Sequence, residues 1–392
     1  MIQTLAVETY RSLRRLLIPL AALNVVTGAN GSGKSSLYRA LRLLADSSRN
    51  GAVAALAREG GLPSTLWAGP RQISRAVREG RYPVQGTAGG DAVGLRLGFG
   101  ADDFSYAIDF GLPPPSQTAF ALDPEIKRES IWSGPVLRRA ALLCDRANGI
   151  VRLREDDGTW TAPYSIRPYD SMLSEFADPQ RAPEVITLRE RIRSWRFYDY
   201  FRTDATAPAR RSLVGTRTPV LDHGGADVAA ALQTIREIGD AEALDAAVEL
   251  AFPGSQISID HDSHGRLDLR LRQHGLLRPL GVAELSDGTL RYLLWIAALL
   301  TPRPSSLLVL NEPETSLHAD LLEPLAQLIG GAAVSSQIIT VSHSRPLIDA
   351  LLRAAGGDGT PVTTIELTKD FGETVVAGQE TFDQPAWYWP KR

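Results

Sequence analysis

The sequence predicts an α/β fold interrupted by a long insert of different character. Three observations carry that expectation. Short apolar runs near both ends of the chain alternate with amphipathic stretches, the pattern of a parallel sheet covered by helices. A glycine-rich segment, 28–35, lies between the first strand-helix pair of this kind. Between about 95 and 160 the runs are separated by turn residues instead, the pattern of antiparallel hairpins.

Taken in order, 5–8 and 23–26 read as strands, and a helix follows from about Ser35 with Leu37, Ala40, Leu41 and Leu44 on one face. Residues 93–99 and 104–110 flank Gly100-Ala101-Asp102-Asp103 as a hairpin, and 150–154 precedes the turn Asp156-Asp157-Gly158. Helical spacing returns over 184–194 and 228–238, and a second hairpin over 256–271 turns at Asp262-Ser263-His264-Gly265. From about 285 the α/β pattern resumes: an almost wholly apolar helix 290–300, a buried strand 307–310, a helix 319–329, a strand 337–341 and a helix from about 346 to 352. The expected organisation is one split domain, with core segments 1–50 and 280–392 and an inserted β and helical lobe over 51–279. No internal repeat, low-complexity tract or sustained heptad appears.

The 392 residues are 44% hydrophobic and 22% charged, enough apolar material for a substantial core. A net charge of −3 makes any nucleic-acid contact a matter of a local patch. The lone cysteine, Cys144, excludes an internal disulfide framework and fits a reducing compartment. Arg11, Arg14 and Arg15 before the apolar run 16–26 imitate an export signal, but that run feeds the glycine-rich segment, which cleavage would destroy. No apolar run approaches the roughly 20 residues of a membrane span. The expectation is a cytoplasmic protein with no membrane partner.

Gly28-Ala29-Asn30-Gly31-Ser32-Gly33-Lys34-Ser35 matches the phosphate loop G-x-x-x-x-G-K-[ST] in full, between a strand and a helix as the chemistry requires. Glycines let backbone N–H groups turn inward around phosphates, and the helix N-terminus adds its dipole. The candidate nucleotide ligands are Gly28, Asn30, Gly31, Ser32, Gly33, Lys34, Ser35 and Ser36. Lys34 would reach the β- and γ-phosphates of ATP and the Ser35 hydroxyl would ligate Mg²⁺.

Three further motifs follow in order. Leu285-Ser286-Asp287-Gly288-Thr289 resembles the LSGGQ signature of ABC ATPases, with Asp for the first Gly and Thr for Gln. Its plainer reading as a helix N-cap is compatible, since a helix N-terminus is itself an anion site. Residues 307–310, followed by Asn311-Glu312-Pro313-Glu314, resemble a Walker B strand, with Glu312 in the place of the catalytic glutamate. Ser316-Leu317-His318 stands where the D-loop would be, and the strand 337–341 leads through Ser342 to His343, resembling the switch histidine that contacts a γ-phosphate.

Together these motifs resemble the ABC-type ATPases of the SMC/RecF/OLD group, P-loop NTPases, and in particular RecF-like, AAA-domain ATPases of bacteria. Residues 284–292, 311–318 and 195–199 carry the likeness. The resemblance implies a dimer sandwiching ATP, with Ser286 and Gly288 reaching the γ-phosphate across the interface, and hydrolysis separating the heads. It also implies a role in DNA repair or phage defence, with DNA as a partner. The metal position of the family is an aspartate; here it is Asn311, which keeps an oxygen but loses a charge, so slow hydrolysis is expected. Gln72, Gln85 and Gln117 remain alternatives for the Q-loop glutamine.

The 252-position separation of Lys34 and Ser286 far exceeds the spacing of the transporter subunits this family includes, which weighs against a transporter subunit. The missing heptads weigh against an SMC coiled coil there, and the 49 residues after His343 leave no room for a Toprim nuclease. A nucleotide-gated interaction module with little turnover is the alternative that Asn311 favours. Arg189, Arg191, Arg193, Arg196 and Arg202 interleave with Trp195, Phe197, Tyr198, Tyr200 and Phe201, with Arg210 and Arg211 beyond. Such a patch could bind a single strand, but solvated arginines on core elements are the favoured reading. His261, Asp262, His264 and His274 read as a solvated turn, not a metal site, and Cys144 as a buried apolar residue.

Overall fold

A computed structural model describes residues 1–49, 51–69, 94–115, 117–155 and 157–391. Packing divides the chain into two compact units, one of 1–21, 26–195 and 364–392, the other of 22–25 and 196–363.

The first unit opens with strands β1 (Ile2–Tyr10) and β2 (Leu13–Pro19), followed by β3 (Leu23–Gly28), whose first residues belong to the second unit. Helices α1 (Lys34–Ser47), α2 (Ala52–Arg58) and the single turn α3 (Leu62–Thr65) follow. Then come β4 (Leu95–Ala101), β5 (Phe104–Gly111), β6 (Glu125–Ser133), β7 (Leu142–Ala147), β8 (Ile150–Arg154) and β9 (Trp160–Ser165), with helices α4 (Met172–Glu175) and α5 (Pro183–Ser194) closing the run. The strands form an eight-stranded sheet ordered β2-β1-β4-β5-β6-β7-β8-β9, antiparallel throughout.

The strand expected at 5–8 is the middle of β1, where Leu5, Ala6 and Val7 are all buried, so this strand is covered on both faces. The apolar run that imitated an export signal is β2, a turn and β3. The expected hairpin turn narrows to Asp102-Asp103 because β4 runs on through Ala101, its partners Phe99 and Tyr106 packed into the core. Residue 93, the start expected for that strand, falls outside the described residues. An internal ion pair spans β6 and β7: Arg146 Nη1 lies 2.7 Å from Glu129 Oε2 with both side chains fully buried. Glu129 also accepts from Tyr106 Oη, Ser171 Oγ and Met172 N, while Arg146 donates to the carbonyls of Asn148, Arg167 and Asp170. Burial, then the Glu129 charge, pushes the Tyr106 phenol well above its ordinary pKa.

The second unit contains β10 (Arg196–Tyr198), β11 (Leu213–Val214), α6 (Val228–Ile238), α7 (Ala241–Ala251), β12 (Gln256–His261), β13 (Arg266–Arg272) and β14 (Leu280–Gly281). Its functional half follows as α8 (Asp287–Leu299), β15 (Leu307–Asn311), α9 (Leu322–Ala332), β16 (Gln337–Val341) and α10 (Arg345–Asp358). The chain then returns to the first unit along β17 (Val362–Asp370) and β18 (Glu373–Val376). Strands β10, β15 and β16 are parallel neighbours, and on the far side of β16 the start of β3 is held by Asn24 Nδ2 on Ile338 O at 3.0 Å. Parallel strands covered on both faces read as unbroken apolar runs, which is why Leu307 to Leu310 were legible.

Helix α8 is buried from Leu290 to Leu299 and forms the centre of this core with Trp295, Tyr198 and Phe201. Helix α10 outruns its expected end at 352: Ala355 stays buried and the helix stops only at Gly359, in the left-handed region at φ 66°. The segment expected as a helix from 319 begins as a 3-10 turn, Ala319–Leu321, before α9. The second hairpin is present as β12 and β13, with Asp262 Oδ1 accepting from His264 N and Arg266 N. Among the described residues no helix is long and apolar enough to cross a membrane.

Candidate nucleotide site

In the first unit, the end of β3 turns into α1 through 29–33. Two glycines make that turn feasible. A Cβ on Gly28 (φ 143°) would collide with Leu367 O, and one on Gly33 (φ 116°) with the Thr374 side chain. Thr374, fully buried on β18, donates from Oγ1 to Ser32 O at 2.7 Å and lies 2.8 Å from Ser12 Oγ. The loop is therefore shaped from beneath by a residue some 340 positions away in sequence, a support that no local motif announces.

Lys34 is buried, and its Nζ donates to Gly28 O at 2.5 Å and Ala29 O at 3.1 Å. Asn30, Gly31 and Ser35 are exposed, Ser36 is half-buried, and Ser32 Oγ is buried with no hydrogen-bond partner among the described residues. Helix α1 starts at Gly33 without a side-chain cap, and its first helical bond is Leu37 N to Gly33 O. The first-turn N–H groups thus have no intrahelical acceptor. An orphaned buried hydroxyl, an uncapped helix start and a lysine held over the Gly28 and Ala29 carbonyls fit a phosphate group.

In the second unit, β15 and β16 end side by side, Asn311 opposite Val341. Glu312 N donates to Val341 O at 2.8 Å, extending the pairing by one residue. Here the chain leaves the strand abruptly: Glu312 sits at φ 50° and Ser316 at φ 61°. A non-glycine residue is held there only when its surroundings over-determine it, at a cost of about 1–3 kcal/mol. The turn presents Glu312 to solvent, with its Oε1 3.5 Å from His343 Nδ1. Asn311 is half-buried at the strand end. Among the described residues there is no group of three or more His, Cys, Asp or Glu that could hold a metal.

Glu314 was not singled out from the sequence. It is buried, and its Oε1 accepts from Ser342 Oγ at 2.6 Å and from the N–H groups of His343 and Ser344, both at 3.2 Å. At the signature-like segment, Ser286 Oγ caps α8 by accepting from Thr289 N at 3.1 Å. Ser286 and Asp287 are exposed, Asp287 is paired with Arg210 at 2.8 Å, and Gly288 lies beneath Ser316 O. Arg291 and Trp295 of α8 donate to Thr315 O and Pro313 O at 2.7 and 3.1 Å, fastening the helix to the segment after β15.

The remaining candidates resolve simply. Gln117 lies exposed in the loop after β5, and Gln72 and Gln85 fall outside the described residues. The aromatic-basic stretch contributes core: Trp195, Phe197, Tyr198 and Phe201 are buried, while Arg191 pairs with Asp103 and Arg202 with Asp204. Only Tyr200 stands clear, its ring 4.6 Å from the Arg291 guanidinium. Cys144 is buried, with burial foremost and Glu184 next raising its thiol pKa.

The chain is similar to solved SMC head structures. The SMC head bound to the C-winged helix domain of ScpA matches with a TM-score of 0.50 at 14% identity, over 96% of this chain and 97% of that one. The SMC head domain from Thermotoga maritima matches with a TM-score of 0.44 at 15% identity, over 97% and 99%. No curated protein matches the sequence. The family described as "AAA domain, putative AbiEii toxin, Type IV TA system" matches residues 23–350. The chain belongs to this AAA-domain family and has the ABC-type P-loop ATPase fold of SMC heads.

Proposed function

We propose that the protein binds ATP with Mg²⁺ on the phosphate loop and hydrolyses it slowly to ADP and phosphate. The observation that carries this reading is the pairing of Glu312 with His343 at the ends of two parallel strands, the place where ligands bind in open α/β sheets. A mere binding loop requires neither the left-handed Glu312 backbone nor that pair.

The roles follow from the chemistry of each group. The backbone N–H groups of 31–36 and the Lys34 ammonium hold the phosphates, and the Ser32 hydroxyl gains the partner it lacks within the chain. Glu312 accepts a proton from the attacking water or fixes its orientation. His343 senses or stabilises the γ-phosphate. Mg²⁺, when bound through Ser35 and Asn311, would neutralise phosphate charge. The uncharged amide of Asn311 places turnover at or below the lower end of the roughly 1–1,000 per second usual for enzymes.

ATP would also join two copies, with Ser286 and Gly288 of each meeting the nucleotide of the other. The family's stated link to a toxin–antitoxin system supports a defence setting over DNA repair. The second reading, a nucleotide-gated module, is favoured by Asn311 alone. Steady-state ATP turnover of the wild type and Glu312→Gln separates the two. The proposal expects slow turnover that the substitution removes while ATP binding persists. Equal, negligible release of phosphate by both proteins would overturn it in favour of the gated module.

A further inference from the structure

We infer that Glu314 is the positioning residue for His343: a buried carboxylate that holds the histidine segment in register with Glu312. The inference rests on the proposed part of His343 in ATP hydrolysis.

Glu314 is a carboxyl group that the fold has taken out of water. Its side chain is 8% exposed, against 43% for Glu312 two residues earlier. A buried carboxylate is tolerated where donors surround it. Among the described residues every hydrogen bond to it comes from one place: Ser342 Oγ, His343 N and Ser344 N all converge on Oε1. Ser344 is in turn the N-cap of α10, accepting from Leu347 N at 3.4 Å. One oxygen thus fixes the exit of β16, the start of α10 and the histidine between them. The His343 ring itself lies with Nδ1 3.5 Å from Glu312 and 3.8 Å from the same Glu314 oxygen.

The other oxygen, Oε2, is buried without a hydrogen-bond partner among the described residues. A carboxylate present for fold stability alone would be expected to satisfy both oxygens, since an unmatched buried acceptor is costly. Concentrating three donors on Oε1 instead places two backbone N–H groups, the least movable donors available, on either side of His343. Pro313 fixes its own φ between Glu312 and Glu314, so the chain joining the two carboxylates has one rotation fewer. Aligning the histidine with the glutamate is then a property of three consecutive residues.

The test is a double-mutant cycle on ATP turnover in the full chain, with ATP binding measured in parallel. Glu314→Ala should lower kcat on the order of ten- to a hundredfold, the scale of a misplaced catalytic group, and leave KM for ATP within about twofold. Glu314→Gln, which keeps the Oε1 acceptor, should recover most of the loss. In a His343→Ala background, Glu314→Ala should lower kcat no further. Should Glu314→Ala fail to fold, Ser342→Ala, which removes one donor from Oε1, is read in the same cycle. Multiplicative losses from the two sites, or an unchanged kcat in folded Glu314→Ala, would overturn the inference. Absence of turnover in the wild type would instead sink the ATPase reading itself.

Discussion

At the scale of single residues, the candidate site depends on backbone conformations that ordinary residues resist. Gly33 is the tightest case, since a methyl group there would meet Thr374 while the backbone stays at φ 116°. Gly33→Ala is therefore expected to keep the fold and lose at least about tenfold in ATP affinity, which is about 1.4 kcal/mol. Nucleotide titration beside a far-ultraviolet spectrum checks both halves, and tight binding by the alanine variant would contradict the cradle described above. Thr374→Val tests the same support more gently, since it preserves shape and removes the hydroxyl that bonds Ser32 O, Ser12 Oγ and Lys369 Nζ. Glu312 offers the converse experiment. Its left-handed backbone costs about 1–2 kcal/mol for any residue with a Cβ. Glu312→Gly should consequently unfold at higher denaturant than Glu312→Ala by about 1 kcal/mol, although glycine gains entropy when unfolded. Equal midpoints for the two variants would mean that the turn stores no strain.

At the scale of elements, legibility followed burial chemistry. The strand before the phosphate loop, β15 and β16 are short, mainly apolar and buried, and the phosphate loop, Glu312 and His343 lie just beyond their ends, so the order of these motifs could be read directly. Strands β6 and β7 could not. Glu129, Ser130, Asp145 and Arg146 are polar residues at buried mid-strand positions, two neighbours in each strand, which erases the alternation that marks a strand; their burial is tolerated because they bond one another. The same feature hid Glu314, whose sequence context is that of surface charge and whose meaning lies in three partners about 30 positions away. Helix α7 carries a local signal in the sequence, Asp240, whose side chain caps Ala243 N at 2.8 Å. Breaking the internal pair measures what β6 and β7 owe to it. Glu129→Ala strands a buried guanidinium and should cost about 3–5 kcal/mol, because the partner left behind has no water to turn to. Equilibrium unfolding in urea reads this directly, and a loss under about 1 kcal/mol would show the network to be peripheral.

At the scale of the whole molecule, the open question is whether ATP joins two copies, and the signature-like segment makes that question sharp. Helix α8 buries nearly all of its length yet leaves its N-cap Ser286 and its first residue Asp287 exposed. A second molecule's γ-phosphate approaching there would meet the positive end of the helix and also a carboxylate, where the resembled motif has glycine. Unopposed, that carboxylate would repel the phosphate and weaken the sandwich. Arg210 lies 2.8 Å from Asp287 and also donates to the carbonyls of Val282 and Leu285, so it is anchored where it neutralises the charge. The expected outcome is that Arg210→Ala weakens ATP-dependent dimerisation of the Glu312→Gln protein by about tenfold or more, since like charge facing like is costly at an interface. Light scattering across a concentration series reports it. Arg210 also holds backbone carbonyls, so its loss alone could act by loosening the segment. The double variant Arg210→Ala with Asp287→Gly decides between the causes: restored dimerisation means that the arginine serves to cancel the aspartate, and continued failure means that it serves to hold the loop. Dimerisation unaffected by either change would place the ATP-dependent contact elsewhere on the protein.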